Sequence, residues 1–123
     1  MNKKLALRAG LCAVALGGLM ALGTPAQASP DVGNIGWLSS NHTGVKCAQW
    51  DLYVNGYYTG KVDGLYGSGT VAGVERLQRS LGLPDDGIVG KDTGGEILAD
   101  IKDYFGNYKL GSINCYDYVP SHF

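Results

Sequence analysis

The sequence predicts a small all-α domain, a three-helix bundle built of two helix-plus-loop repeats and a closing helix. Three observations lead there. An eight-residue phrase occurs twice, as Asp63-Gly64-Leu65-Tyr66-Gly67-Ser68-Gly69-Thr70 and as Asp86-Gly87-Ile88-Val89-Gly90-Lys91-Asp92-Thr93. Both copies follow D-G-φ-x-G-x-x-T, with φ aliphatic, displaced by 23 positions (63 to 86). Apolar residues after each copy recur at helical spacing, and each stripe is followed by a glycine where a helix stop belongs.

Each phrase reads as a loop that delivers the chain into a helix. Asp-Gly favours a tight turn, because glycine reaches positive φ without penalty and Asp bonds its own backbone. The aliphatic residues Leu65 and Ile88 are expected to plug the turns into the core. Gly67 and Gly90 let the chain turn again. Thr70 and Thr93 then stand where an N-cap hydroxyl accepts a bond from the first turn, and Thr93-Gly94-Gly95-Glu96 matches a capping box. After Thr70, the residues Val71, Val74, Leu77, Gln78 and Leu81 share a face, stopped at Gly82 and Pro84. After Thr93 come Ile97, Leu98, Ile101 and Phe105, ended by Gly106.

A third helix precedes both. Val45, Ala48, Gln49 and Leu52 keep one face, with Gly56 as the stop. The phrase Val45-x-x-Ala48-Gln49-x-x-Leu52 matches Val74-x-x-Leu77-Gln78-x-x-Leu81, displaced by 29 positions (45 to 74). The first unit therefore carries six extra residues (29 against 23), which the segment 55–61 (NGYYTGK) supplies.

The ends are read by composition. Lys3, Lys4 and Arg8 precede an apolar run over 9–22, and Ala26-Gln27-Ala28 supplies a cleavage pattern, so 1–28 are expected to be a secretory signal peptide. The run is short for a membrane span, and no later segment reaches the roughly 20 apolar residues needed. Residues 29–43 form a polar N-terminal arm that docks through Trp37 and Leu38; 44–106 form the domain; 107–123 form a tail. All 11 acidic residues lie after position 28, against 7 of the 10 basic ones. A mildly acidic chain without basic clusters fits neither nucleic acid nor an anionic membrane surface.

Cys12 falls in the leader, which leaves Cys47 and Cys115 as a pair in an oxidising setting. They are expected to form a disulfide, against the alternative of two free buried thiols. The bond would restrain the unfolded chain by about 4 kcal/mol on the chain-entropy model. No C-x-x-C is present and His42 and His122 lie near opposite ends, so no metal or cofactor is expected.

Residues 45–98 resemble the peptidoglycan-binding domain 1 family, the small three-helix modules attached to many bacterial cell-wall hydrolases. The resemblance is carried by V-x-x-x-Q-x-x-L, then G-Y-Y at Gly56-Tyr57-Tyr58, V-D-G-x-Y-G-x-x-T, x-V-x-x-L-Q-x-x-L-G-L and D-G-I-V-G-x-x-T. Two positions depart from the family pattern. Gly73 replaces a small helix-former and Gly94 replaces a common aromatic, and each is expected to loosen a helix start by up to about 1 kcal/mol. The tail lies outside the resemblance. The resemblance implies binding of peptidoglycan by a secreted, wall-associated chain, with the family's chemistry placed in a separate domain.

The residues themselves point to binding rather than catalysis. Hydrolysis of wall peptides calls for a metal site or a Cys–His nucleophile. Asp63 and Asp86 are the carboxylates on offer for glycoside cleavage, and their turns already account for them. Tyr57, Tyr58 and Tyr66 fall in or beside the first loop, where rings with polar tips suit sugar faces. Core covering is the alternative for Tyr57 and Tyr66. Gln49 and Gln78 hold equivalent positions, either meeting wall peptide or bonding loop backbone. Arg76, like Arg79, either meets stem-peptide carboxylates or lies on a solvated face. The reading of a different class is a protein-interaction module that modulates a secreted partner such as a wall hydrolase.

Overall fold

The computed structural model describes residues 32–123, so the leader expected over 1–28 lies outside the described residues. Three helices carry the domain: α1 (His42–Val54), α2 (Ser68–Leu81) and α3 (Lys91–Phe105). α1 is the centre, packed on α2, on α3 and on the tail. Its inward face holds Val45, Ala48, Gln49 and Leu52, all fully buried, as the helical spacing predicts. α2 brings Val74 and Leu77 to the same core, and α3 brings Ile97, Leu98 and Ile101. Gly82 and Gly106 end α2 and α3 in the left-handed conformation.

The helix starts differ from expectation. α1 begins at His42 because Asn41 caps it, its Oδ1 accepting from Gly44 N at 2.9 Å. Thr70 and Thr93 are not caps. Gly67 and Gly90 hold the cap positions in extended conformation without a side-chain bond, and each threonine is the third residue of its helix. Both hydroxyls point inward, to a glutamine on the preceding helix.

Leu65 and Ile88 are also corrected. They face solvent, Leu65 with 60 % of its surface exposed, and the next residues, Tyr66 and Val89, fill the core instead. Gly64 and Gly87 explain it, with φ of 83° and 74°. That left-handed step turns the following side chain outward and the one after it inward.

The N-terminal segment docks through Ile35 rather than through Trp37 and Leu38. Ile35 is fully buried and pairs antiparallel with Val89, by bonds of 3.0 and 2.8 Å. Trp37 and Leu38 form the exposed tip of a turn, in which Ser39 N donates to Gly36 O and Leu38 has φ 60°. Phe105 lies outside the α3 core stripe as well, 41 % exposed at the helix end.

The tail is a short antiparallel hairpin, β1 (Lys109–Leu110) with β2 (Ile113–Asn114), followed by a 3-10 turn at Cys115–Asp117. Cys115 is bonded to Cys47 across a sequence separation of 68, with Cα atoms 6.0 Å apart. The two departing glycines now have a reason. A Cβ on Gly94 would run into Pro120 O, and one on Gly73 would lie 3.1 Å from Tyr57 O. Gly94 admits the tail and Gly73 admits the extra segment of the first unit. Close approach of a distant backbone oxygen accounts for both glycines.

Candidate functional site

The repeated phrases are held by two equivalent glutamine clamps. Gln49 Oε1 accepts from Asp63 N at 3.0 Å and Gly64 N at 2.9 Å. Its Nε2 donates to Leu65 O and Thr70 Oγ1, both at 3.0 Å. Gln78 repeats this one unit on: Oε1 accepts from Gly87 N at 2.9 Å, and Nε2 donates to Ile88 O at 2.8 Å and Thr93 Oγ1 at 3.1 Å. Each carboxylate closes its own turn, Asp63 Oδ1 accepting from Leu65 N and Asp86 Oδ1 from Ile88 N. The Leu65 N–H, aided by the Gln49 amide, holds the Asp63 carboxyl below its ordinary range.

This placement divides the candidate ligand-binding residues. Gln49 and Gln78 are buried, with both ends of each amide bonded to loop and threonine, so neither is available to a ligand in this conformation. Tyr66 is buried too, and its hydroxyl donates to Gly87 O, tying the first loop to the second. Burial, with Asp86 and Glu75 nearby, pushes that phenol well above its ordinary range. These three residues belong to the interior because the loops have no other source of bonds for their buried N–H and C=O groups.

Tyr57, Tyr58 and Arg76 do come together, at the surface beside Gly73. Tyr57 O accepts from Arg76 Nη1 at 3.1 Å, and both rings are half-buried against the core. Tyr58 OH donates to Lys61 O at 2.8 Å, which folds the extra segment over the first clamp. At the second loop a cleft of about 150 Å³ opens between Leu83, Pro84, Asp86, Ile88, Lys91 and Asp92. Sequence reasoning missed this cleft. The signal for it was the missing six residues, since the shorter second unit has no counterpart of the 55–61 segment.

The chemistry on offer is limited. Among the described residues no three His, Cys, Asp or Glu groups converge as metal ligands. Cys47 and Cys115 are joined. His42 Nδ1 lies 2.9 Å from Gly64 O, and His122 Nε2 lies 2.9 Å from Asp92 Oδ1 at the surface. Asp51 and Asp100 are neighbouring carboxyls. Asp51 is fully buried, and burial first, then the Asp100 charge, push its carboxyl up to about 8. A group so enclosed has no path to a substrate.

The comparisons with known proteins fall on this frame. Residues 41–95 match the family model described as "Putative peptidoglycan binding domain". The spore cortex-lytic enzyme of Bacillus subtilis (strain 168) is 41 % identical over 64 residues, covering 51 % of this chain and 21 % of that protein. The spore cortex-lytic enzyme of Bacillus cereus is 50 % identical over 42 residues, covering 34 % of this chain and 16 % of that one. The matched segments thus span about a fifth or less of these curated relatives. The crystal structure of the SleB N-terminal domain is 36 % identical with a TM-score of 0.46, covering 54 % of this chain and 86 % of that one. The matched stretch runs from the Asn41 cap through both clamps into α3, and over it the chain resembles the peptidoglycan-binding domain family.

Proposed function

We propose that the chain is an exported, non-catalytic module that binds cell-wall peptidoglycan non-covalently through the surface around its two repeat loops. The observation that carries this reading is the family match over 41–95, the segment that contains both glutamine clamps. Clamped loops are pre-organised, so little ordering entropy opposes contact with a polymer. The groups offered to the ligand are Tyr57, Tyr58 and Arg76 on the first unit, and the cleft lined by Asp86, Lys91 and Asp92 on the second. Stacking on the tyrosine rings and polar contacts from the cleft suit a chain of sugars bearing short peptides. The disulfide supports an oxidising compartment outside the cytosol, where the wall lies. Among the described residues no helix is long and apolar enough to cross a membrane.

The test is co-sedimentation of the protein with purified insoluble peptidoglycan, beside a folded Tyr57→Ala/Arg76→Ala variant and a folded Lys91→Ala variant. Wild type should pellet with the wall, and at least one variant should lose a large part of that binding. A wild type that stays in the supernatant with its disulfide intact overturns the reading.

A further inference from the structure

The strongest unused feature lies away from both loops, where the end of α1 meets the second half of α3. Trp50, Tyr104 and Phe105 form a three-ring cluster with centroids 5.2, 5.0 and 4.9 Å apart. Tyr104 is 67 % exposed, and Tyr53, one turn beyond Trp50, is exposed as well. Along the same stretch of α3 run Glu96, Asp100 and Asp103, about one carboxylate per turn. No ion pair among the described residues reaches any of the three. α1 has no basic residue in its last turn. The nearest cation on α3, Lys102, is engaged over the Tyr108 ring of the tail.

Beneath the surface lies a further acidic group with no ion-pair partner among the described residues. Asp51 is fully buried, and its Oδ2 has no donor. Asn55 Nδ2 serves only the other oxygen, at 3.1 Å, and also reaches Asp100 Oδ2 at 3.4 Å. The neighbouring Asp100 can bond to Asp51 only by sharing a proton. Carboxylates and ring faces attract positive charge, and here they converge without an ion-pair partner among the described residues.

We propose that the Trp50–Tyr104–Phe105 face docks a basic segment of a protein partner, its lysine or arginine side chains lying over the exposed rings and against Asp100 and Asp103. Glu96 and Asp103 stand about 10 Å apart along the helix, so one small cation does not serve both ends, whereas a peptide with spaced basic residues does. A neutral glycan leaves the carboxylates unanswered. A second copy of this face sets acid against acid. The inference is independent of wall binding at the repeat loops.

Trp37 and Trp50 are the two tryptophans of the chain, so a Trp37→Phe background makes Trp50 a single reporter. The full chain in this background is titrated with a ten-residue lysine/arginine–alanine peptide, its glutamate counterpart and a neutral N-acetylglucosamine oligosaccharide. The basic peptide should shift Trp50 emission saturably and the acidic one should not. Asp100→Asn/Asp103→Asn should weaken binding at least about tenfold, Tyr104→Ala should weaken it at least about fivefold, and raising salt should weaken the wild type. Should the double variant fail to fold, Asp103→Asn alone, fully on the surface, is read with the salt series. Three results overturn the proposal: basic-peptide binding that ignores both charge removal and salt, saturation by the oligosaccharide alone, or a Trp50 shift that follows protein concentration as self-association.

Discussion

The two repeat units share one polar mechanism and differ in what covers it. In both, a glutamine on one helix reads the following Asp-Gly turn and the threonine beyond it, with the same atoms in the same roles. The first unit adds the 55–61 segment, which folds Tyr58 over the clamp, and its loop contributes the large Tyr66 to the core. The second unit has the smaller Val89, which is completed from outside by Ile35, and its helix start is covered by the tail at Pro120. The shared clamp is therefore a local device that repeats with the phrase. The covers are separate solutions to the same exposed edge, one supplied by insertion and the other by the chain ends.

The sharpest way to break this comparison is through the glycines beneath the covers. Gly94→Ala drives a Cβ into Pro120 O, a backbone atom with little room to yield, and should cost about 3 kcal/mol, with detachment of the tail. Gly73→Ala meets its neighbours at 3.1 Å or more, so helix propensity offsets the crowding and the net change should stay within about 1 kcal/mol. Urea unfolding of both variants gives the order; equal losses would mean that the two covers are alike after all.

The clamps come next. Gln49→Ala strips two loop N–H groups of their acceptor, whereas Gln78→Ala strips one. Losses of about 3 and about 2 kcal/mol are expected in the same experiment. A reversed order would show that the tyrosine-covered loop re-solvates more easily than the open one.

The buried carboxyl of α1 gives a prediction in pH. Asp51 holds a proton up to about pH 8 when folded, against an ordinary value of 3.8, so between these limits the folded state is the one that binds more protons. Its contribution is fully present below pH 3.8 and is lost as pH rises toward 8. Asp63 and Asp85 are shifted downward and act in the opposite sense, at acid pH below this window. Unfolding free energy should fall by about 2 kcal/mol between pH 5 and pH 7, and Asp51→Asn should flatten that slope. An unchanged slope in the variant would assign the dependence elsewhere.

The smallest effect sharpens the link between the units. Tyr66→Phe removes the hydroxyl that reaches Gly87 O and keeps the ring, so a loss of about 1 kcal/mol is expected. Hydrogen exchange should rise at the second loop, not the first. Protection lost only around Tyr66 would show that the loops are held independently.

By itself the sequence determined whatever depends on neighbours along the chain. The repeat displacement, the three helical stripes, the glycine stops at 82 and 106 and the pairing of Cys47 with Cys115 were all legible, because spacing and residue chemistry set them. The turn role of Asp63 and Asp86 was legible for the same reason, since each carboxylate bonds two residues on. Tertiary structure alone decided which side of each turn is buried. Leu65 and Tyr66 are both apolar enough for the core, and only the left-handed step at Gly64 chooses between them. Likewise Thr70 and Thr93 suit a cap, until a glutamine from another helix arrives to claim the hydroxyl. The same holds for Gly73 and Gly94, whose missing side chains matter only to segments distant in sequence. Ile35, Gln49 and the Trp50–Tyr104–Phe105 face share that origin, for each gains its role from a partner that the chain brings near only when it folds.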